Sequence, residues 1–215
     1  MASGSKGAGT IPARPRLTAY DAAMNEQAGP WHRHSRQVVY DNPWIRVFHD
    51  EVTRPDGQPG IYGVVHFHSL ATGVVPLDTA TDRVLLVGQY RYTLERYSWE
   101  IPEGGGSFEE EPEQAARREL SEETGYSGGT WRELCRIHLS NSVCDEAGVL
   151  FVAADPAPGP AAPEGTECLE LRWVSFDEVL AMIGRGEITD AMTIIALQQL
   201  ALERLASGQA RLDSI

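Results

Sequence analysis

Residues 104–126 read GGGSFEEEPEQAARRELSEETGY, and the fold turns on how this stretch is read. Its second half has the marks of a helix. Pro112 stands at the first turn, where a missing N–H removes nothing. Gly125 follows the last helical position, where a left-handed cap favours glycine. The helix is expected from about Glu111 to Thr124, behind a Gly-rich loop at residues 104–107. At about 100° per residue, positions i, i+3 and i+4 share a face. Glu119, Glu122 and Glu123 form such a set. Three like charges this close weaken an isolated helix, so a compensating cation is expected. Carboxylates without His or Cys partners prefer hard ions, which points to Mg²⁺ or Mn²⁺ rather than zinc. Ala115 and Ala116 lie one turn earlier and are small enough to let the Gly-rich loop come close. Leu120 points away, toward the core. Arg118 lies to the side, where it can pair with a glutamate and fix its rotamer. A solvated acidic helix would interleave Lys four residues after Glu, and no basic residue follows these carboxylates. The alternating Asp/Asn ligands of an EF-hand are also absent.

Outward from the helix, short apolar runs bounded by turn residues read as strands. Upstream they fall at residues 37–40 and 45–52, with a turn at Pro55-Asp56-Gly57. One or two more strands follow in IYGVVHFHSLATGVVPL, then a buried one at 83–92 and a short one at 99–102. Downstream they fall at 130–139, 148–153 and 170–174, with a long Pro-, Ala- and Gly-rich loop at 155–166. Ser175 followed by Glu178 is a capping box that opens a helix near Phe176. A final amphipathic helix is expected over 190–205. Residues 1–35 lack periodicity and read as a flexible tail, with order near Trp31.

The 215 residues suit one domain with a modest appendage. Apolar residues make up 42% and charged residues 23%, which fits a globular chain with a core. No apolar run approaches the roughly 18 residues of a membrane span, and the N-terminus lacks the apolar centre of a secretory signal. Three cysteines, Cys135, Cys144 and Cys168, without metal-ligand spacing read as reduced thiols in a cytoplasmic protein. A net charge of -13 argues against nucleic-acid or anionic-membrane partners. It is compatible with a phosphate substrate once divalent cations sit on the acidic set.

The 104–126 stretch resembles the Nudix box: Gly, five residues, Glu, seven residues, Arg-Glu, a bulky apolar residue, any residue, Glu-Glu, any residue, Gly, a bulky residue. Gly104, Glu110, Arg118, Glu119, Leu120, Glu122, Glu123, Gly125 and Tyr126 fill those places. NPWIRVFHDEVTRPDG, LLVGQYRY, WEIPEGG and ITDAMTIIAL are similar to the ADP-ribose pyrophosphatase and nucleoside-diphosphate-sugar hydrolase branch. The likeness covers roughly residues 38–200. It implies an α/β (α+β) fold, a Nudix-type αβα sandwich with a mixed sheet, preceded by an N-terminal antiparallel strand region. On this reading 1–35 is the tail, 36–70 the strand region that builds a homodimer, 71–206 the hydrolase domain and 207–215 a C-terminal tail.

The resemblance also implies roles. Glu119 and Glu123 are the principal metal ligands, Glu122 lies beside them, and the backbone carbonyl of Glu103 is a further ligand. Arg118 orients the glutamates, and Glu110 supports the site. The base that activates water comes from the acidic loop after the box, where Glu167 is the first choice and Glu164 the second. Arg91 and Glu100 meet the substrate, and Glu146 serves the site across the dimer. Trp44, with Tyr90 and Trp99, offers a face for stacking a nucleobase. The expected substrate is a nucleoside-diphosphate sugar, ADP-ribose first. One departure bears on that choice: the proline typical of ADP-ribose enzymes, about sixteen residues past the box, is Asn141 here. This keeps UDP- and GDP-sugars and dinucleoside polyphosphates open, beside a domain that senses the nucleotide without cutting it.

Overall fold

Two apolar stretches, LATGVVPL and AGVLFVAA, are buried on both faces rather than alternating inside and out. Strands of that kind belong in the middle of a sheet covered on both sides. The computed structural model of the protein describes residues 26–159, 169–206 and 208, and both stretches lie at such a centre. The described residues fall into two units, 26–41 with 47–64, and 42–46 with everything from 65 onward.

The first unit is built on a four-stranded sheet in sequential order, β1 (Glu26–Ala28), β2 (Trp31–Asp41), β3 (Ile45–Thr53) and β4 (Pro59–Phe67). Among the described residues strand structure is therefore present from Glu26, inside the stretch assigned to the tail from sequence. The polar run WHRHSRQ hides the strand from a hydrophobicity reading. It is held by an edge contact of Trp31 with Tyr62 and by paired bonds from Arg36 to the buried Asp50, at 2.6 and 2.7 Å.

The second unit carries a seven-stranded mixed sheet. Its strands are β5 (Ser69–Asp78), β6 (Arg83–Arg91), β7 (Arg96–Glu100), β8 (Glu103–Ser107), β10 (Thr130–His138), β11 (Ala147–Ala154) and β13 (Glu170–Ser175); the small strands β9 (Tyr126–Ser127) and β12 (Ala157–Pro158) pair separately. The order is β10-β11-β5-β6-β13, with β7 on β6 and β8 on β5. Only β11 and β5 run parallel among these pairs. Helix α1 (Pro112–Thr124) covers one face, and α2 (Phe176–Gly184) and α3 (Ala191–Ala206) cover the other. The period-2 rule sorts the side chains. Val74, Val149, Phe151 and Ala153 meet Ala116 and Leu120 of α1, whereas Val75, Leu77, Leu150 and Val152 join the cluster of α2 and α3. This is the αβα sandwich.

Local signals place the helix ends. Gly125 adopts φ 73° and its N–H bonds to the Ser121 carbonyl at 2.9 Å. Ser175 accepts from the Glu178 N–H at 3.4 Å. The glycines at 104–106 are a correction: they form strand β8, bonded to β5, and not a loop. A Cβ on Gly106 would collide with the Cβ of Ala115, so bare glycine and alanine let α1 lie directly on this strand. Among the described residues no helix is long and apolar enough to cross a membrane. Cys135 and Cys144 are free thiols, and Cys168 lies outside the described residues.

Leu120 is fully buried between Val74 and the β11 side chains. Leu120→Ala should lower the unfolding free energy by about 2–5 kcal/mol, read as a lower urea midpoint at unchanged slope.

Candidate active site

The site begins where β5 and β6 part. They pair only at Leu77↔Val84 and Asp78↔Arg83. Further along, β6 turns to β7, with Val87 opposite Glu100, and β5 turns to β8, with Gly73 opposite Glu103. Residues 100–103 bridge this fork. Three hydrogen bonds hold the bridge. The Ile101 N–H donates to Thr193 Oγ1 at 3.0 Å, the Val74 N–H to the Pro102 carbonyl at 3.0 Å, and the Glu103 N–H to Glu123 Oε2 at 3.2 Å.

Against one side of the bridge lies the acidic face of α1. Glu123 is only 5% exposed. The Glu119 carboxylate presses on Gly104, where a Cβ would overlap it and push the carboxylate aside. Arg118 gathers the rest. Its Nη1 donates to Glu119 at 2.8 Å and to Glu122 at 2.9 Å, and its Nη2 donates to the Gly105 carbonyl at 3.0 Å, with Glu110 3.6 Å away. Partial burial works against its charge, yet Glu119 and Glu122 hold the guanidinium above the ordinary arginine value. The sideways placement of Arg118 expected from sequence is what the structure has.

On the other side of the bridge Arg91 is clasped by carboxylates. Its Nε lies 3.0 Å from both oxygens of Glu100, and its Nη2 lies 2.5 Å from Glu100 Oε2 and 3.0 Å from Glu103 Oε1. Gln89 adds a bond to Glu100 at 3.3 Å. Glu100 is 2% exposed, so an unpaired charge there would be costly, and the bidentate guanidinium offsets it. Burial opposes the charge of Arg91, but its bonds to Glu100 and the nearby Glu103 and Asp190 carboxylates raise its affinity for the proton. One oxygen from each of Glu100, Glu103 and Asp190 lies within 4.8 Å of the others. Burial, followed by the charges of Asp190 and Glu100, pushes the Glu103 carboxyl well above its ordinary value, and Arg91 only partly counters this.

Two of these groups escaped the sequence reading. Glu103 was expected to act through its carbonyl alone, and Asp190 was not singled out. Asp190 was findable as a cap, because its carboxylate accepts from the Thr193 N–H at 2.7 Å. No local pattern ties it to Glu103. Trp44 is 72% exposed in the turn between β2 and β3, where the Asn42 side chain accepts from its N–H at 2.9 Å. Glu146 stands just before β11, half-buried, and that burial together with Asp145 raises its carboxyl above the ordinary value. Asn141 lies in the exposed turn before it, where the Cys144 N–H bonds back to Ser140 at 3.0 Å. Glu164 and Glu167 lie outside the described residues.

The donor set fits a hard divalent cation. Glu119, Glu122 and Glu123 supply carboxylates beside the Glu103 and Gly104 peptides, with the single guanidinium of Arg118 to balance them. Nearby, Glu103 Oε2 is buried and has no hydrogen-bond partner among the described residues.

A family model described as NUDIX domain matches residues 67–194, and the chain belongs to that family. It is accordingly a pyrophosphohydrolase. A second model, the nucleoside diphosphate sugar hydrolase N-terminal domain, matches residues 31–65. The chain is 29% identical to an ADP-ribose pyrophosphatase of Bacillus subtilis over 81% of its own length and 95% of that protein. It is likewise 29% identical to a CMP-5'-(N-acetyl-N-hydroxy-3-aminopropyl)phosphonate hydrolase of Streptomyces rubellomurinus, over 84% of this chain and 85% of the relative. The crystal structure of an ADP compounds hydrolase superposes with a TM-score of 0.76 at 18% identity, over 86% of this chain and 100% of the other, which supports the fold.

The raised Glu103 carboxyl carries a pH signature. The folded, metal-free protein holds this proton more tightly than the unfolded chain does. Its contribution to stability is therefore present at low pH and lost as pH rises from about 4.5 toward the raised value. In chelator, the melting temperature of wild type should fall more steeply than that of Glu103→Gln as pH rises above about 4.5. Parallel curves would remove Glu103 as the source.

Proposed function

We propose that this protein hydrolyses the diphosphate of a nucleoside-diphosphate sugar, ADP-ribose first, to a nucleoside monophosphate and a sugar phosphate. The observation that carries the reading is the acidic face of α1 pressed against the Glu103 and Gly104 peptides, with Arg91 on the other side of the same bridge. The match of residues 31–65 to a nucleoside diphosphate sugar hydrolase domain and the ADP-ribose pyrophosphatase relative support the substrate class.

Glu119 and Glu123 would hold Mg²⁺ or Mn²⁺, with Glu122 beside them and the Glu103 carbonyl as a further ligand. When bound, the ion neutralises charge on the diphosphate and acidifies the attacking water. Water adds to one phosphorus in line with the bridging oxygen, whose bond to that phosphorus breaks. Arg118 keeps the Glu119 and Glu122 carboxylates in place through its two short bonds. Arg91 meets a phosphate oxygen, and Glu100, anchored by Gln89, holds the guanidinium until then. Glu167, or failing it Glu164, accepts the water proton. Trp44 stacks on the base, and Glu146 serves the site across a homodimer formed through residues 36–70. The free thiols of Cys135 and Cys144 support a cytoplasmic location. Asn141 favours a second reading with the same chemistry, a UDP- or GDP-sugar or a dinucleoside polyphosphate as substrate.

Hydrolysis of a panel of ADP-, UDP- and GDP-sugars in ¹⁸O-labelled water tests both readings, because it reports the substrate and the phosphorus that gains the oxygen. Activity confined to nucleoside triphosphates would overturn them. Glu119→Gln and Glu123→Gln should each lower kcat by about two to three orders of magnitude with the circular dichroism unchanged. If wild type and Glu123→Gln bound the nucleotide equally and neither turned it over, the protein would be a sensor.

A further inference from the structure

Residues 188–193, ITDAMT, join the second helical layer to the bridge over the fork. Arg96, at the start of β7, donates to Thr189 Oγ1 at 2.5 Å. At the other end of β7, the Ile101 N–H donates to Thr193 Oγ1 at 3.0 Å, and both residues are fully buried. Asp190 ties these contacts to the helix. It accepts from the Thr193 N–H at 2.7 Å and its carbonyl takes the first helical bond, from Ile194 at 3.0 Å. The turn that presents the Thr193 hydroxyl is thereby rigid.

We propose that Thr193, held by the Asp190 cap, is a positioning residue for the metal-binding corner: it clasps the Ile101 peptide and so sets where the Glu103 peptide meets Glu123. This rests on the metal-centre reading given above. The Ile101 amide lies two residues before Glu103. Its neighbour Pro102 has no N–H of its own and is held through its carbonyl by Val74. Between Glu100 and Glu103, Thr193 is therefore the only side chain that fixes the bridge from the α3 side among the described residues. Without the hydroxyl a buried N–H loses its acceptor, and the bridge must move to find another. A shift of about 1 Å at a ligand peptide is enough to cost one to two orders of magnitude in rate.

The test is Thr193→Val, with Thr193→Ser as the conservative control, read by titration of each purified protein with Mn²⁺ in electron paramagnetic resonance. Thr193→Val should bind Mn²⁺ about tenfold more weakly and lose kcat to a similar degree, with KM for the sugar nucleotide within about twofold. Thr193→Ser should restore both. A lower melting temperature with Mn²⁺ affinity equal to wild type means that Thr193 serves packing alone, and overturns the inference. Should Thr193→Val not fold, amide exchange in wild type decides. By reciprocity, Mg²⁺ must slow exchange at Ile101; exchange indifferent to Mg²⁺ overturns the proposal. A flat Mn²⁺ titration of wild type itself overturns the metal-centre reading, and this inference falls with it.

Discussion

Beyond Leu77↔Val84 and Asp78↔Arg83, strands β5 and β6 no longer bond to each other, and each backbone group released there needs a new partner in a buried place. The chain meets this demand by folding its next segment into the gap. β7 lines one bank and β8 the other, and residues 100–103 cross between them. Glu100, Glu103, Glu123 and Arg91 all sit on that crossing or touch it. α1 can reach it because β8 is bare glycine at the contact, and α3 reaches it through one threonine.

The crossing also concentrates negative charge. Glu100, Glu103 and Asp190 share Arg91, while Glu110, Glu119 and Glu122 share Arg118. Two guanidiniums do not balance so many carboxylates, and burial magnifies what is left. One carboxyl, Glu103, responds with a raised affinity for its proton. A divalent cation is the other way to relieve such a site. The same crowding of carboxylates that raises Glu103 would also favour a hard divalent ion.

Much of this was legible in the sequence because it depends on neighbours in the chain. Pro112 and Gly125 bound α1, Ser175 and Glu178 open α2, and the i, i+3, i+4 spacing put three glutamates on one face. Strand β8 was not legible, since three glycines in a row carry turn chemistry, and only pairing with β5 makes them a strand. The strand structure within residues 26–35 was hidden because the first half of β2, WHRHSRQ, is mostly polar on both faces. Asp190 lies far along the chain from Glu103, so their meeting is a property of topology that no periodicity records. Arg91 and Glu100 were each expected at the substrate by resemblance; that they pair with each other, and that the Glu103 side chain shares Arg91, depends on contacts across the fork and on a residue expected to contribute backbone alone.

The parallel pairing of β11 with β5 has a consequence for how the chain matures. One edge of β5 finds β8 close behind it, so the glycine strand, α1 and the acidic face can assemble from nearly contiguous sequence. The other edge, along the apolar run VVPL, has no partner until residues 147–154 have been synthesised, and β6 waits longer still for β13. Non-local pairings of this kind are slow and leave apolar strand edges open in the interval. The core face of α1 therefore also waits for β11, whose Val149, Phe151 and Ala153 it packs against, and the sheet that holds the acidic face in place closes late.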